Sequence, residues 1–125
     1  MKKDAAKLLV RAEECLEEAH QLFDFEHYLG AINRAYYCIF GCARALLHEK
    51  GLYAKTHQGV QTKISELFIK TSLMERQHGD SMRNVFELRQ ISDYDLDADL
   101  TEEDAFFAIE AAKRFVMATK SILGD

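Results

Sequence analysis

Hydrophobic positions recur with the period of an α-helix along almost the whole chain. From Asp4, placed to act as an N-cap, to about Phe25, the residues Leu8, Ala12, Cys15, Ala19 and Leu22 fall on one side. Lys7, Arg11, Glu14, Glu18 and Gln21 fall on the other, so this stretch predicts a first amphipathic helix. A second is predicted from about His27 to Glu49, with Leu29, Ile32, Tyr36, Ile39, Ala43 and Leu46 in one stripe and Gly51 as a stop. Ala31, Ala35, Cys38, Cys42 and Ala45 add another stripe, made only of small residues that let neighbours approach closely. Apolar on two sides, this helix is expected to be central and the most buried.

Thr56 is placed to cap a third helix running to about Lys70, with Val60, Ile64, Leu67 and Phe68 inward. A fourth is predicted from near Glu75 to Asp93, with Gly79 as a possible interruption and Met82, Val85, Phe86 and Leu88 as apolar contacts. The acidic tract from Asp93 to Asp104 breaks the pattern, and Thr101 with Asp104 starts the last helix in the manner of a capping box. That helix runs to about Leu123 with Ala105, Phe106, Ile109, Ala112, Val116 and Leu123 inward. No strand-like alternation occurs. The expected fold class is therefore all-α: one domain over residues 1–125, an antiparallel bundle of about five helices.

Composition sharpens this picture. Proline is absent, where average usage gives about six in such a length, which favours long helices joined by short connections. The net charge of −5 offers no overall positive field for a nucleic acid, so DNA binding is not expected and any phosphate contact must be a local patch. Cys15, Cys38 and Cys42 are odd in number and lie within helical runs, unlike a secreted disulfide framework, and point to a reducing cytoplasm. Lys7 and Arg11 interrupt the first apolar stretch too early for a signal peptide. The longest apolar run, Ala35 to Ala43, is about half a membrane span.

Three constellations carry candidate chemistry. On the second helix Arg34, Tyr37, Gly41, Arg44 and His48 share a face at three- and four-residue spacing. Arginine offers planar bidentate donors to phosphate and tyrosine a stacking surface, so the seam suits a nucleotide or single-stranded RNA; equally, it can be a solvated edge or a set of partners for neighbouring carboxylates. On the fourth helix Arg89 emerges from an apolar face beside Met82, Val85 and Phe86, one turn from Asp93, either as a functional guanidinium or as half of an intrahelical ion pair. Cys38 and Cys42 lack the loop spacing of a zinc site, and the acidic tract lacks the glycine and terminal glutamate of a calcium loop, so no metal or cofactor is expected.

The stretches AINRAYYCIF at 31–40, KTHQG at 55–59 and LRQISDYD at 88–95, in this order within a helical chain of this length, resemble the HEPN (higher eukaryotes and prokaryotes nucleotide-binding) domain, closest to its small stand-alone prokaryotic branch. The resemblance spans about Lys7 to Ile122. It implies a helical bundle that often forms a homodimer and commonly partners a minimal nucleotidyltransferase as a toxin–antitoxin pair. In ribonuclease members an arginine followed after four to six residues by histidine forms a composite site across the dimer. Arg89 matches the arginine, but positions 94, 95 and 96 hold Tyr94, Asp95 and Leu96. An imidazole exchanges a proton near neutrality, whereas an ordinary tyrosine, with a pKa of about 10, is mostly a fixed donor.

By the same resemblance, Arg89 and Tyr94 are the candidate catalytic positions, and Arg34, Tyr37, His57 and Asp93 the candidate nucleotide- or RNA-binding ones. In some toxin members a tyrosine near this motif receives a nucleotidyl group from the partner, a role open to Tyr94. Three functions follow as expectations: a nucleotide- or RNA-binding partner of a nucleotidyltransferase, a metal-independent ribonuclease toxin, or a non-catalytic adaptor bundle.

Overall fold

Helix α2, Tyr28–Glu49, is the element on which the others converge. In a computed structural model, which describes residues 1–124, it packs against α1 (Lys3–Asp24), α3 (His57–Ile64), α4 (Arg76–Tyr94) and α5 (Glu102–Leu123). Both predicted stripes of α2 are responsible: Ile32, Tyr36, Ile39, Ala43 and Leu46, and also Ala31, Ala35, Cys38, Cys42 and Ala45, are all buried, whereas Leu29, predicted to join the first stripe, stays exposed in the first turn of the helix. The chain is all-α, five helices with no strand among the described residues, and a single cluster of apolar side chains forms the core.

The ends of the helices follow local chemistry. Thr56 Oγ1 accepts from the Gly59 N–H at 2.9 Å, and Thr101 and Asp104 close the expected capping box at the start of α5. Asp4 does not cap α1. The backbone N–H of Lys2 donates to Glu49 Oε1 at 2.6 Å, tying the start of the chain to the end of α2, so the helix begins at Lys3 and Asp4 sits in its first turn, where the helix dipole favours a carboxylate. Glu26 and Gly51 take left-handed conformations, φ 64° and 78°, at the ends of α1 and α2. Each closes a Schellman motif, with bonds from His27 N to Leu22 O and from Leu52 N to Leu47 O.

Elsewhere the inward faces shift from those the spacing predicts. Leu9, not Leu8, is buried on α1, and Phe106 of α5 is 55% exposed, its ring tilted against that of Phe23 instead of entering the core. The third helix does not run evenly to Lys70: it continues as a π-helical turn over Ser65–Ile69, marked by the Lys70 N to Ser65 O bond. The wider turn keeps Phe68 buried with Ile64 and Val60 while leaving Leu67 only partly covered. Gly79 does not interrupt α4; it faces Ile69 of the π turn, where an added Cβ would make an ordinary contact at 3.5 Å.

Candidate functional site

The register of α4 turns Arg89 toward α2, the same side as buried Met82 and Val85, and leaves its side chain only 12% exposed. A guanidinium so enclosed needs partners. One Nη donates to the Tyr37 hydroxyl at 3.0 Å, and Nε lies 2.8 Å from Asp93 Oδ2. The Nε–H is directed off that oxygen, so this contact is a close ion pair without a linear hydrogen bond. Tyr36, Tyr37 and Tyr94 place their rings 5.7, 5.4 and 5.9 Å from the guanidinium carbon, a three-sided aromatic surround.

Arg34 joins the same cluster from α2. Its Nε and an Nη donate to Asn33 Oδ1 at 3.1 and 2.8 Å, and its guanidinium stands 5.2 Å from the centre of the Tyr37 ring. Asn33 Nδ2 in turn donates to Asp93 Oδ1 at 3.4 Å. The contacts close a ring: Arg34, Asn33, Asp93, Arg89, Tyr37 and back to Arg34. Asp93 is the one carboxylate in the ring and pairs directly with Arg89 alone, so the cluster carries a surplus positive charge, and each arginine keeps one Nη with no hydrogen-bond partner among the described residues. Such an arrangement can take an oxyanion at its open side.

His57 reaches the cluster from the start of α3. Its Nδ1 and the Tyr36 hydroxyl are 2.5 Å apart, a hydrogen bond whose direction follows the imidazole tautomer, and its ring packs between Phe40 and Phe86. Burial, and then the Arg89 charge, push the imidazole below its ordinary pKa, so it is neutral at pH 7. Burial raises the Tyr36 phenol, with Arg89 opposing, and keeps that hydroxyl protonated.

All six residues singled out from the sequence thus fall in one neighbourhood. Arg34, Tyr37, Arg89 and Asp93 touch directly, His57 connects through Tyr36, and Tyr94 lies on the rim with its side chain largely in solvent, 73% exposed. Two members escaped sequence reasoning. Asn33 carries the link between Arg34 and Asp93, and its only signal was its place beside Arg34; Tyr36 was assigned to the core stripe, which it does occupy, but its hydroxyl also holds His57. Cys38 and Cys42 lie in the core, where the mutual contact and burial hold the Cys38 thiol protonated.

Residues 5–122 match the HEPN domain. The chain belongs to the HEPN family. Among its relatives, a Methanocaldococcus jannaschii protein named "Putative toxin MJ0142" is 32% identical over 98% of this chain and 83% of its own length. A second from that organism, "Putative toxin MJ0605", is 36% identical over all of this chain and 92% of its own. A Thermotoga maritima protein named only "UPF0332 protein" is 34% identical, covering 92% of this chain and 87% of that protein. In this HEPN chain the position four residues beyond the arginine's next neighbour is Tyr94, and its ring sits against the Arg89 guanidinium.

Proposed function

We propose that this HEPN protein is the partner of a minimal nucleotidyltransferase in a toxin–antitoxin-like pair, and that its Arg89–Tyr37–Arg34 cluster holds a phosphate of RNA or of a nucleotide. The observation that carries this is the lone carboxylate: Asp93 balances Arg89, one of two converging guanidinium groups, and leaves the charge of Arg34 available to an anion. The names of the Methanocaldococcus relatives support the toxin-like setting. Exposed Ile91 and Leu96, which line one shallow depression with Tyr94, the ring that stands by Arg89, support pairing into a homodimer, which would cover them and set two such clusters together.

Tyr94 is proposed as the acceptor of a nucleotidyl group from that partner. Its phenol oxygen would attack the α-phosphorus of a nucleoside triphosphate, releasing pyrophosphate and the phenol proton. The test is co-expression with the neighbouring nucleotidyltransferase gene: a stable complex and a nucleotide adduct that Tyr94→Phe abolishes are expected. No co-purification and an unmodified chain would sink the pairing.

A second reading, a metal-independent ribonuclease, draws on His57, an imidazole kept neutral and close enough to feel Arg89. Purified protein that leaves RNA intact, with or without His57→Gln, removes it.

A further inference from the structure

The polar seam of α2 does not end at the Arg89 cluster. Beyond Tyr37 it faces α1, where Arg34 and Arg44 of α2 and Arg11 of α1 surround a cavity of about 190 Å³ whose walls include Tyr37, Phe40 and Cys15. Its floor is fixed by the close approach of the two helices at Gly41, where an added Cβ would stand 3.1 Å from the Cβ of Ala12. The cavity shares Leu8, Arg11 and Arg44 with a neighbouring groove that adds Lys3, Lys7 and His48.

The charges here are conspicuous in a chain of net charge −5. Five cationic side chains, Lys3, Lys7, Arg11, Arg34 and Arg44, line the cavity and groove against two carboxylates, Asp4 and Glu14. Among the described residues neither Arg11 nor Arg44 makes an ion pair or a side-chain hydrogen bond; Arg44 only stands over the Phe40 ring at 5.9 Å. Three guanidinium groups around one small cavity, with no carboxylate among the residues that line it, repel one another until an anion enters.

We propose that the Arg11–Arg34–Arg44 cavity is a second phosphate-binding site, taking the backbone of the same single-stranded RNA whose neighbouring phosphate lies at Arg89. This rests on the reading of the Arg89 cluster given above. Tyr37 is the reason for choosing a continuous strand over two unrelated anions. Its hydroxyl receives Arg89 while its ring lies under Arg34 and walls the cavity, so one side chain separates the two sites. From Arg34 to Arg44 the seam advances about 15 Å along α2, enough for the site to follow a backbone and not merely a terminal phosphate. The arginine forks match phosphate oxygens in pairs.

Two measurements on the whole chain test this. Fluorescence anisotropy with a labelled single-stranded RNA compares wild type, Arg89→Ala and the pair Arg11→Gln, Arg44→Gln as a function of salt. The glutamine pair is expected to weaken binding by about tenfold or more and to reduce the slope of log K against log salt by about 1.4, two contacts at roughly 0.7 each. NMR of the arginine Nε–H signals during titration with inorganic pyrophosphate is expected to shift Arg11, Arg34 and Arg44 in both wild type and Arg89→Ala.

If the glutamine pair binds RNA like wild type with an unchanged slope while Arg89→Ala loses affinity, the second site is overturned and the Arg89 cluster stands. If Arg89→Ala is silent while the glutamine pair fails, the second site stands and the cluster reading falls. A poly-glutamate peptide that displaces RNA as well as unlabelled RNA of equal charge would overturn the proposal in favour of an acidic protein partner. Arg11 and Arg44 make no bond that the fold depends on, so unchanged circular dichroism of the pair is the control.

Discussion

Arg89 and Tyr37, 52 residues apart in sequence, meet through a hydrogen bond of 3.0 Å that joins α4 to the seam of α2. The bond holds a nearly buried guanidinium in the cluster and fixes the Tyr37 ring between two arginines. Tyr37→Phe keeps the ring and removes only this acceptor. It is expected to lower stability by about 1 kcal/mol, the usual worth of one such bond, and to weaken RNA binding several-fold by loosening Arg89. Thermal melts and anisotropy on the same samples check both; unchanged binding would show that Arg89 is placed by Asp93 alone.

The two histidines beside the core give a pH dependence of definite sign. Burial lowers the His57 and His78 pKa values from the ordinary 6.5, helped at His57 by the Arg89 charge and opposed at His78 by Glu75. Below pH 6.5 the unfolded chain therefore takes up protons that the folded one refuses, so stability is full above that value and falls as the pH drops through the depressed range. Melting temperature measured from pH 8 to pH 5 is expected to be level and then decline. His57→Gln should flatten part of the decline, and a melting temperature that rises on acidification would contradict the assignment.

The left-handed ends of α1 and α2 respond in opposite directions. Gly51→Ala forces a Cβ into φ 78° and is expected to cost about 1 kcal/mol, whereas Glu26→Gly relieves a glutamate held at φ 64° and should be neutral or stabilising by up to about 1 kcal/mol. Chemical denaturation of the two variants tests this. Equal losses in both would mean that the caps are set by tertiary contacts instead of backbone strain.

Much of this bundle was legible in the spacing of apolar residues, because α2 must bury two stripes and an absence of proline leaves the helices uninterrupted. The positions that misled were those where a small choice of register decides. Leu8 and Leu9 are equally apolar, and only the packing of α1 on α2 selects Leu9; on α5 the inward face carries Ala105, Ala108, Ile109, Ala112 and Phe115, which leaves Phe106 and Phe107 outside. The π turn at Ser65–Ile69 had no signal in composition, since it arises from seating Phe68. Of the site, Arg89, Arg34 and Tyr37 could be singled out as arginines and a tyrosine on apolar helices. Their closure into a ring through Asn33 and Asp93 depends on how α4 crosses α2, which no single-helix pattern encodes.

The central claim is that the Arg89 cluster holds phosphate through a bidentate fork, and Arg89→Lys probes it without removing the charge. Lysine is a point charge that cannot serve Tyr37, Asp93 and an oxyanion in one plane. Affinity for a single-stranded RNA, read by anisotropy at fixed salt, is expected to drop about tenfold for Arg89→Lys and further for Arg89→Ala, with both variants still folded. RNA affinity identical in wild type, Arg89→Lys and Arg89→Ala would contradict the account and leave the ring of contacts a purely structural lock between α2 and α4.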